Sequence, residues 1–253
     1  MRFCAAVGSA GLPWFTELNI KSLRHVFGAD LPIVITEDPS PSTSRVMEIA
    51  GENDCYIHVS EQPLGHFQGD VQTYLDALAL ASQTQADIAI KVSQRFFVVD
   101  PRLREMISTK FEADPNLAVV CPGRPNPNLI RTGHKQFARF PLLTDIFFMR
   151  RSHIDPDFVK AQYEKQVKEG RQYWDCFVEL FWERIRNGSL NGRVHLAPEL
   201  TDHRGAEPKL YIRRYQDSQS DYLRLAQYFK VTGSWQLGER ASLDKRYDPR
   251  PRL

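Results

Sequence analysis

The chain has 253 residues, and its 33 Lys and Arg against 31 Asp and Glu leave a formal charge of +2, so the overall balance gives no support to a nucleic-acid partner. An apolar share of 42% and a charged share of 25% are those of a globular protein, and no run reaches the ~18 unbroken apolar residues that a membrane span requires. The length suits one large domain, and the apolar stretch of MRFCAAVGSAG is too short for a signal-peptide core. The expected location is the cytoplasm, at most peripheral to the inner face of the membrane. Cys4, Cys55, Cys121 and Cys176 are far apart, show no metal-ligand spacing, and read as buried thiols.

The first hundred residues alternate β-rich runs with helical periodicity, the pattern of βαβ units around a largely parallel sheet. Arg2 to Val7 reads as the first strand, broken by Gly8-Ser9-Ala10-Gly11. Pro13 suits a first helical turn, and Ile20, Leu23 and Phe27 form one face of a helix that ends near Gly28. Pro32 to Thr36 is a second strand that leads to Glu37-Asp38. A short helix over Thr43 to Ala50 and a strand over Cys55 to Val59 follow. Asp70 is placed to cap the next helix, on which Val71, Tyr74, Leu75 and Leu78 share a face. Ile88 to Val92 and Phe96 to Val99 read as strands, then come a short helix from Pro101 and a strand over Leu117 to Cys121. Pro122 to Pro141 is a long Pro, Gly, Asn and Arg-rich loop of the kind that forms lids or binding loops. Asp145 to Arg150 is a further strand, Phe158 to Glu169 a helix, and Tyr173 to Arg186 a strongly apolar-faced helix. The tail after Asp202 is rich in Arg, Tyr and Lys.

Ligands of open α/β sheets collect beyond the carboxyl ends of the strands. That rule selects Gly8 to Gly11, Glu37-Asp38, the turn from Gly65 to Asp70, and Ser93-Gln94-Arg95. Neither HExxH, GxSxG nor GxxxxGK[ST] occurs, and GSAG lacks the GxGxxG spacing of a dinucleotide site. From Pro115 to Thr144 there is no acid, while Arg124, Arg131, Lys135 and Arg139 are present and Arg150 and Arg151 follow. This cationic run either holds an anionic ligand or is a solvated face.

The stretch ADIAIKVSQRFFVVDP, Ala86 to Pro101, resembles the central segment of glycosyltransferases with the GT-A fold. There an Ala-Asp pair, an apolar strand with a Lys, and an Asp-x-Asp precede a short strand ending in Asp-Pro. LTDIFFMRR, Leu143 to Arg151, is similar to the acceptor-side strand of bacterial lipopolysaccharide and capsule glycosyltransferases. The resemblance implies an α/β, GT-A-like (Rossmann-like) fold with a mostly parallel central sheet flanked by helices. It further implies one domain, with residues 1–121 as the nucleotide-sugar donor half and 122–253 as the acceptor half and tail. The implied activity is transfer of a sugar from a nucleotide-sugar donor to a glycan or lipid-linked glycan acceptor, in polysaccharide or lipopolysaccharide biosynthesis.

The chain departs from that family where the Asp-x-Asp should stand, because it reads Ser93-Gln94-Arg95. The family's acids hold a divalent cation on the donor diphosphate, and without them no metal and no other cofactor is expected. Arg95 either neutralises the diphosphate directly, as a guanidinium fork suits phosphate oxygens, or is a solvated strand-end residue in a dead site. The resemblance places Gly8, Ser9, Glu37 and Asp38 around the nucleotide, and Asp70, Lys91 and Ser93 beside the donor sugar and phosphates. Asp175 is the expected general base, although an acid in a first helical turn is also favoured by the macrodipole alone. Asp145, Arg151 and His203 are the candidates on the acceptor side. A nucleotidyltransferase and a non-catalytic glycan- or partner-binding domain are the alternatives.

Overall fold

The computed structural model describes residues 1–94, 96–98, 100–121, 146–168, 193–197, 200, 212–214 and 225–231. Its strands are β1 (Phe3–Ser9), β2 (Ile33–Glu37), β3 (Tyr56–Val59), β4 (Ile88–Val92), β5 (Phe96–Val98), β6 (Leu117–Cys121), β7 (Ile146–Arg150), β8 (Arg193–Leu196) and β9 (Ile212–Arg214). The helices are α1 (Pro13–Phe27), α2 (Thr43–Glu52), α3 (Gly65–Thr84), α4 (Arg102–Ala113) and α5 (Pro156–Lys168). Seven strands form one sheet in the order β3-β2-β1-β4-β7-β6-β8, and β5 and β9 make a separate antiparallel ribbon. The pairs β3-β2, β2-β1, β1-β4 and β6-β8 are parallel, whereas β7 runs antiparallel to β4 and β6.

Helices cover both faces, so the inner strands are near-continuous apolar runs. Ala5, Val7, Ile33, Ile35, Ile88 and Ile90 face α1, α2 and α4 in one core cluster. Cys4, Ala6, Ala89 and Phe147 face α3 and α5 in the other. The small residues on β1 let α3 approach the sheet closely.

The expected elements of the first half are all present, with two informative shifts. β1 continues through Gly8 and Ser9 because these pair with Thr36 and Glu37 of β2, so the glycine does not break the strand. α3 starts at Gly65, a turn before Asp70, because the Asp38 carboxylate accepts the N–H groups of Leu64 at 2.6 Å and Gly65 at 3.1 Å. A cap supplied from another loop leaves no local signature, and Asp70 becomes a helix-interior residue instead of the cap. β8 and β9, of four and three residues, were too short to be legible. The expected loop at Pro122 to Pro141 and the helix at Tyr173 to Arg186 lie outside the described residues.

Arg150 closes the carboxyl end of α4. Its guanidinium donates to the carbonyls of Phe111, Asp114 at 3.1 Å and Leu117 at 2.9 Å, and stands 5.2 Å from the centre of the Phe111 ring. This cation therefore serves a helix terminus, where carbonyl groups concentrate negative charge. Near the C-terminus, Ala226 and Val231 join Trp14, Phe15, Leu18 and Phe97 in a third apolar cluster. Lys21 Nζ clamps that segment by donating to the carbonyls of Phe229 at 3.2 Å and Lys230 at 3.4 Å.

Among the cysteines, Cys4 and Cys121 are buried as expected, but Cys55 is only half-buried, and Cys176 is outside the described residues. Burial pushes the Cys4 thiol up to about 12 and raises that of Cys121. For Cys55 burial outweighs the opposing cation of Arg24 and pushes the thiol up to about 11. Since only the thiolate reacts, about a thousandth of Cys55 is nucleophilic at pH 8. Alkylation mapped by mass spectrometry should leave all three unmodified at pH 8 and label Cys55 first as the pH approaches 11; fast labelling of Cys121 at pH 8 would contradict the burial. A second expectation concerns Gln85, which ends α3 with a left-handed φ of 53°. Gln85→Gly should stabilise the protein by about 0.5–1 kcal/mol in urea unfolding, because glycine adopts that conformation without a Cβ penalty.

Candidate functional site

The carboxyl ends of β1, β2 and β4 converge on one rim of the parallel half-sheet. Gly8 sits there against α3 and the end of β4. A Cβ on it would stand 3.1 Å from Thr73 Oγ1, 3.7 Å from the Val92 carbonyl and 3.9 Å from the Gln94 nitrogen, so any side chain crowds this approach. Ser9 points to the opposite face and shares a 2.8 Å hydrogen bond with Thr16 of α1. Gly11, with φ of 67°, packs against Ser40, its missing Cβ being 3.3 Å from that side chain. Thus the loop after β1 is held against the loop after β2.

Glu37 is fully buried at the end of β2. Its Oε1 accepts from Thr43 Oγ1 at 3.0 Å and Ser40 Oγ at 3.3 Å, while Oε2 has no partner among the described residues. A buried carboxylate oxygen without a donor is costly, so this atom marks a place where a ligand N–H or O–H or a water would be welcome.

On the α3 face, Lys91 of β4 is completely buried and donates to Asp70 Oδ1 and to Ser93 Oγ, both at 2.7 Å. Ser93 in turn donates to Asp70 Oδ1 at 2.7 Å. The three side chains make a closed triangle beneath the rim. Asp70 Oδ2, also buried, has no partner among the described residues. A second polar link ties α3 to the sheet edge: Asp76 accepts from Thr36 Oγ1 at 2.6 Å and Gln72 Nε2 at 2.8 Å, and meets His58 Nδ1 at 2.8 Å.

Beyond Val92, Phe96 N–H returns to the Ser93 carbonyl at 3.0 Å, closing the turn between β4 and β5. Asn19 of α1 donates from Nδ2 to the Gln94 carbonyl at 2.9 Å. The first turn of α1, buried and following directly on the loop after β1, holds no acidic residue and has no side-chain cap.

Comparison with solved structures agrees with this architecture. Glucosyl-3-phosphoglycerate synthase from Mycobacterium tuberculosis, in complex with phosphoglyceric acid, has a TM-score of 0.50 at 13% identity over 92% of this chain and 82% of that one. The same enzyme with Mn2+, uridine diphosphate and phosphoglyceric acid gives 0.50 at 11% identity, over 92% and 80%. A cytidylyltransferase from Leptospira borgpetersenii gives 0.49 at 14% identity, over 98% and 96%. The fold is GT-A-like. No protein-family model and no curated protein sequence matches the chain.

Within this GT-A-like frame, Gly8, Ser9, Glu37, Asp38 and Ser93 stand along the rim, with Asp70 and Lys91 beside it. Three of these expected site residues are bonded within the protein. Asp38 caps α3, and Asp70 and Lys91 are turned inward on each other, so they support the rim from below. Arg151 is not brought to the site. Its Nε donates to the Ala86 carbonyl at 3.0 Å and its N–H to the Asp87 carbonyl at 3.0 Å, which puts it at the amino end of β4, the opposite edge of the sheet. Arg95, Asp145, Asp175 and His203 lie outside the described residues. Thr16, Asn19, Thr36, His58 and Asp76 were not foreseen. The i, i+3 spacing of Thr16 and Asn19 on the face of α1 that carries them was the available signal.

Among the described residues no group of three His, Cys, Asp or Glu side chains converges, and the carboxylate below the turn already carries the Lys91 ammonium. Lys91→Met should cost about 3–5 kcal/mol, because it strands a buried carboxylate. Adding Asp70→Leu should recover most of the loss. Urea unfolding of both singles and the double checks this, and simple additivity of the two single losses would show that the pair is not coupled.

Proposed function

We propose that the protein is a nucleotide-sugar-dependent glycosyltransferase that acts on a glycan or lipid-linked glycan acceptor, in polysaccharide or lipopolysaccharide biosynthesis, without a divalent metal. The observation that carries it is Glu37 Oε2, a buried acceptor with no donor among the described residues, at the carboxyl end of β2 where β1 and the loop leading to α1 also converge. A nucleoside supplies N–H and O–H donors to such a carboxylate, and a helix amino end favours the phosphates that follow. Gly8 and Ser9 border the nucleotide, and the turn begun by Ser93 lies next to the diphosphate. Arg95 follows Gln94 in the chain and would take the place of the metal.

In an inverting transfer the acceptor hydroxyl oxygen bonds to the anomeric carbon as the bond from that carbon to the diphosphate oxygen breaks. Asp175 would take the hydroxyl proton, with Asp145 and His203 on the acceptor side, and the nucleoside diphosphate would leave against Arg95. The engagement of Asp38 and Asp70 within the protein favours a second reading, a non-catalytic domain that binds a glycan or a partner.

Calorimetry against UDP, GDP, CDP and dTDP, each in EDTA and with Mn2+ or Mg2+, tests the proposal. One nucleotide should bind in EDTA, and Arg95→Ala should weaken it about tenfold or more. Binding that requires the metal would overturn the metal-free mechanism. No binding would favour the non-catalytic domain, and turnover that releases pyrophosphate would identify a nucleotidyltransferase.

A further inference from the structure

Asn19 stands out among the side chains that the proposed chemistry does not use. It lies in the middle of α1, is 1% exposed, and is flanked in sequence by the buried Leu18 and Ile20. Asparagine is a poor residue for a helix interior, and burying an amide costs more than one hydrogen bond returns. Here Nδ2 makes one bond, to the Gln94 carbonyl at 2.9 Å, and Oδ1 has no partner among the described residues. Gln94 Nε2, on the residue that Asn19 holds, is likewise buried without a partner among the described residues. An apolar residue at position 19 would stabilise α1 better, so the polar choice is not explained by stability.

The contact bridges two elements that border the candidate site. α1 begins just after the Gly8 to Gly11 loop and carries Thr16, which bonds to Ser9 one turn before Asn19. Gln94 is the middle residue of the triplet that replaces the family's acidic pair. Its nitrogen stands 3.9 Å from where a Gly8 Cβ would be, and the Phe96-to-Ser93 bond closes its turn. We infer that Asn19 is a positioning residue for the diphosphate half of the nucleotide: by fixing the Gln94 carbonyl it sets the β4–β5 turn against Gly8 and the amino end of α1. The inference rests on the nucleotide-binding reading above. It makes no claim that Asn19 touches ligand.

The test compares wild type with Asn19→Leu, which has nearly the same volume and no donor, and Asn19→Asp, which keeps the shape. Each is titrated with UDP, GDP, CDP and dTDP and with the matching nucleosides, and its folded fraction is checked by circular dichroism. Asn19→Leu should weaken the diphosphate about tenfold while the nucleoside affinity stays within about twofold, since the base-binding end of the rim is untouched. In Asn19→Asp the carboxylate repels the Gln94 carbonyl at pH 8, whereas the protonated acid donates to it. Its diphosphate affinity relative to wild type should therefore recover as the pH is lowered toward 5.5, a reversal that a loss of folding does not produce. Equal weakening of diphosphate and nucleoside, or no change in either variant, would overturn the inference and leave the nucleotide reading standing. Failure of the wild type to bind any of these probes would overturn the nucleotide reading and this inference with it.

Discussion

The arrangement of the rim depends on a charged pair in the place where charge is hardest to keep. Lys91 is on an inner strand, between Ala6 of β1 and Phe147 of β7 in the register, and under a helix. An ammonium there persists only if its donors are matched, and Asp70 and Ser93 match it at 2.7 Å each. Asp70 can reach because α3 lies close, and α3 lies close because β1 presents only Cys4, Ala6 and Gly8 on that face. The pair adds little net stability over an apolar replacement, but it has one geometry. It therefore fixes the height and rotation of α3 and the start of the β4–β5 turn together.

The other loops of the rim are fixed by equally local devices. Asp38 reaches from the end of β2 to the first N–H groups of α3, Gly11 lets the first loop pack on Ser40, and Ser40 with Thr43 orients Glu37. A site whose polar groups are held before the ligand arrives loses less entropy on binding. Thr36 and Asp76 continue this on the sheet edge, where Asp76 joins Thr36 and His58, register partners on adjacent strands, to α3.

Much of this was legible in the chain because the inner strands are apolar runs with clear stops, and because a parallel sheet collects its ligands at one edge. Ile88–Val92 and Leu117–Cys121 have the extents expected of them, and Gly8, Ser9, Glu37 and Ser93 fall at strand ends where the topology gathers them. What was hidden is long-range pairing. Nothing near Asp38 in sequence shows that it caps a helix starting 27 residues later, nor near Asp70 that it meets a lysine 21 residues on. Arg150 and Arg151 looked like members of a cationic surface because sequence counts charges without directions. Their guanidinium groups point to the carbonyls of Phe111, Asp114, Leu117 and Ala86 at the far edge of the sheet.

The same pairing bears on how a diphosphate would be neutralised. Asp38 faces the positive end of α3 and Asp70 faces Lys91, so neither is an uncompensated acid at the rim. In the proposed reading a divalent ion brought to Asp70 would meet the Lys91 ammonium that the carboxylate already holds. In the proposed mechanism the cation is carried by the chain itself, because Arg95 would bring its charge to the phosphate without asking Asp70 to leave its partner.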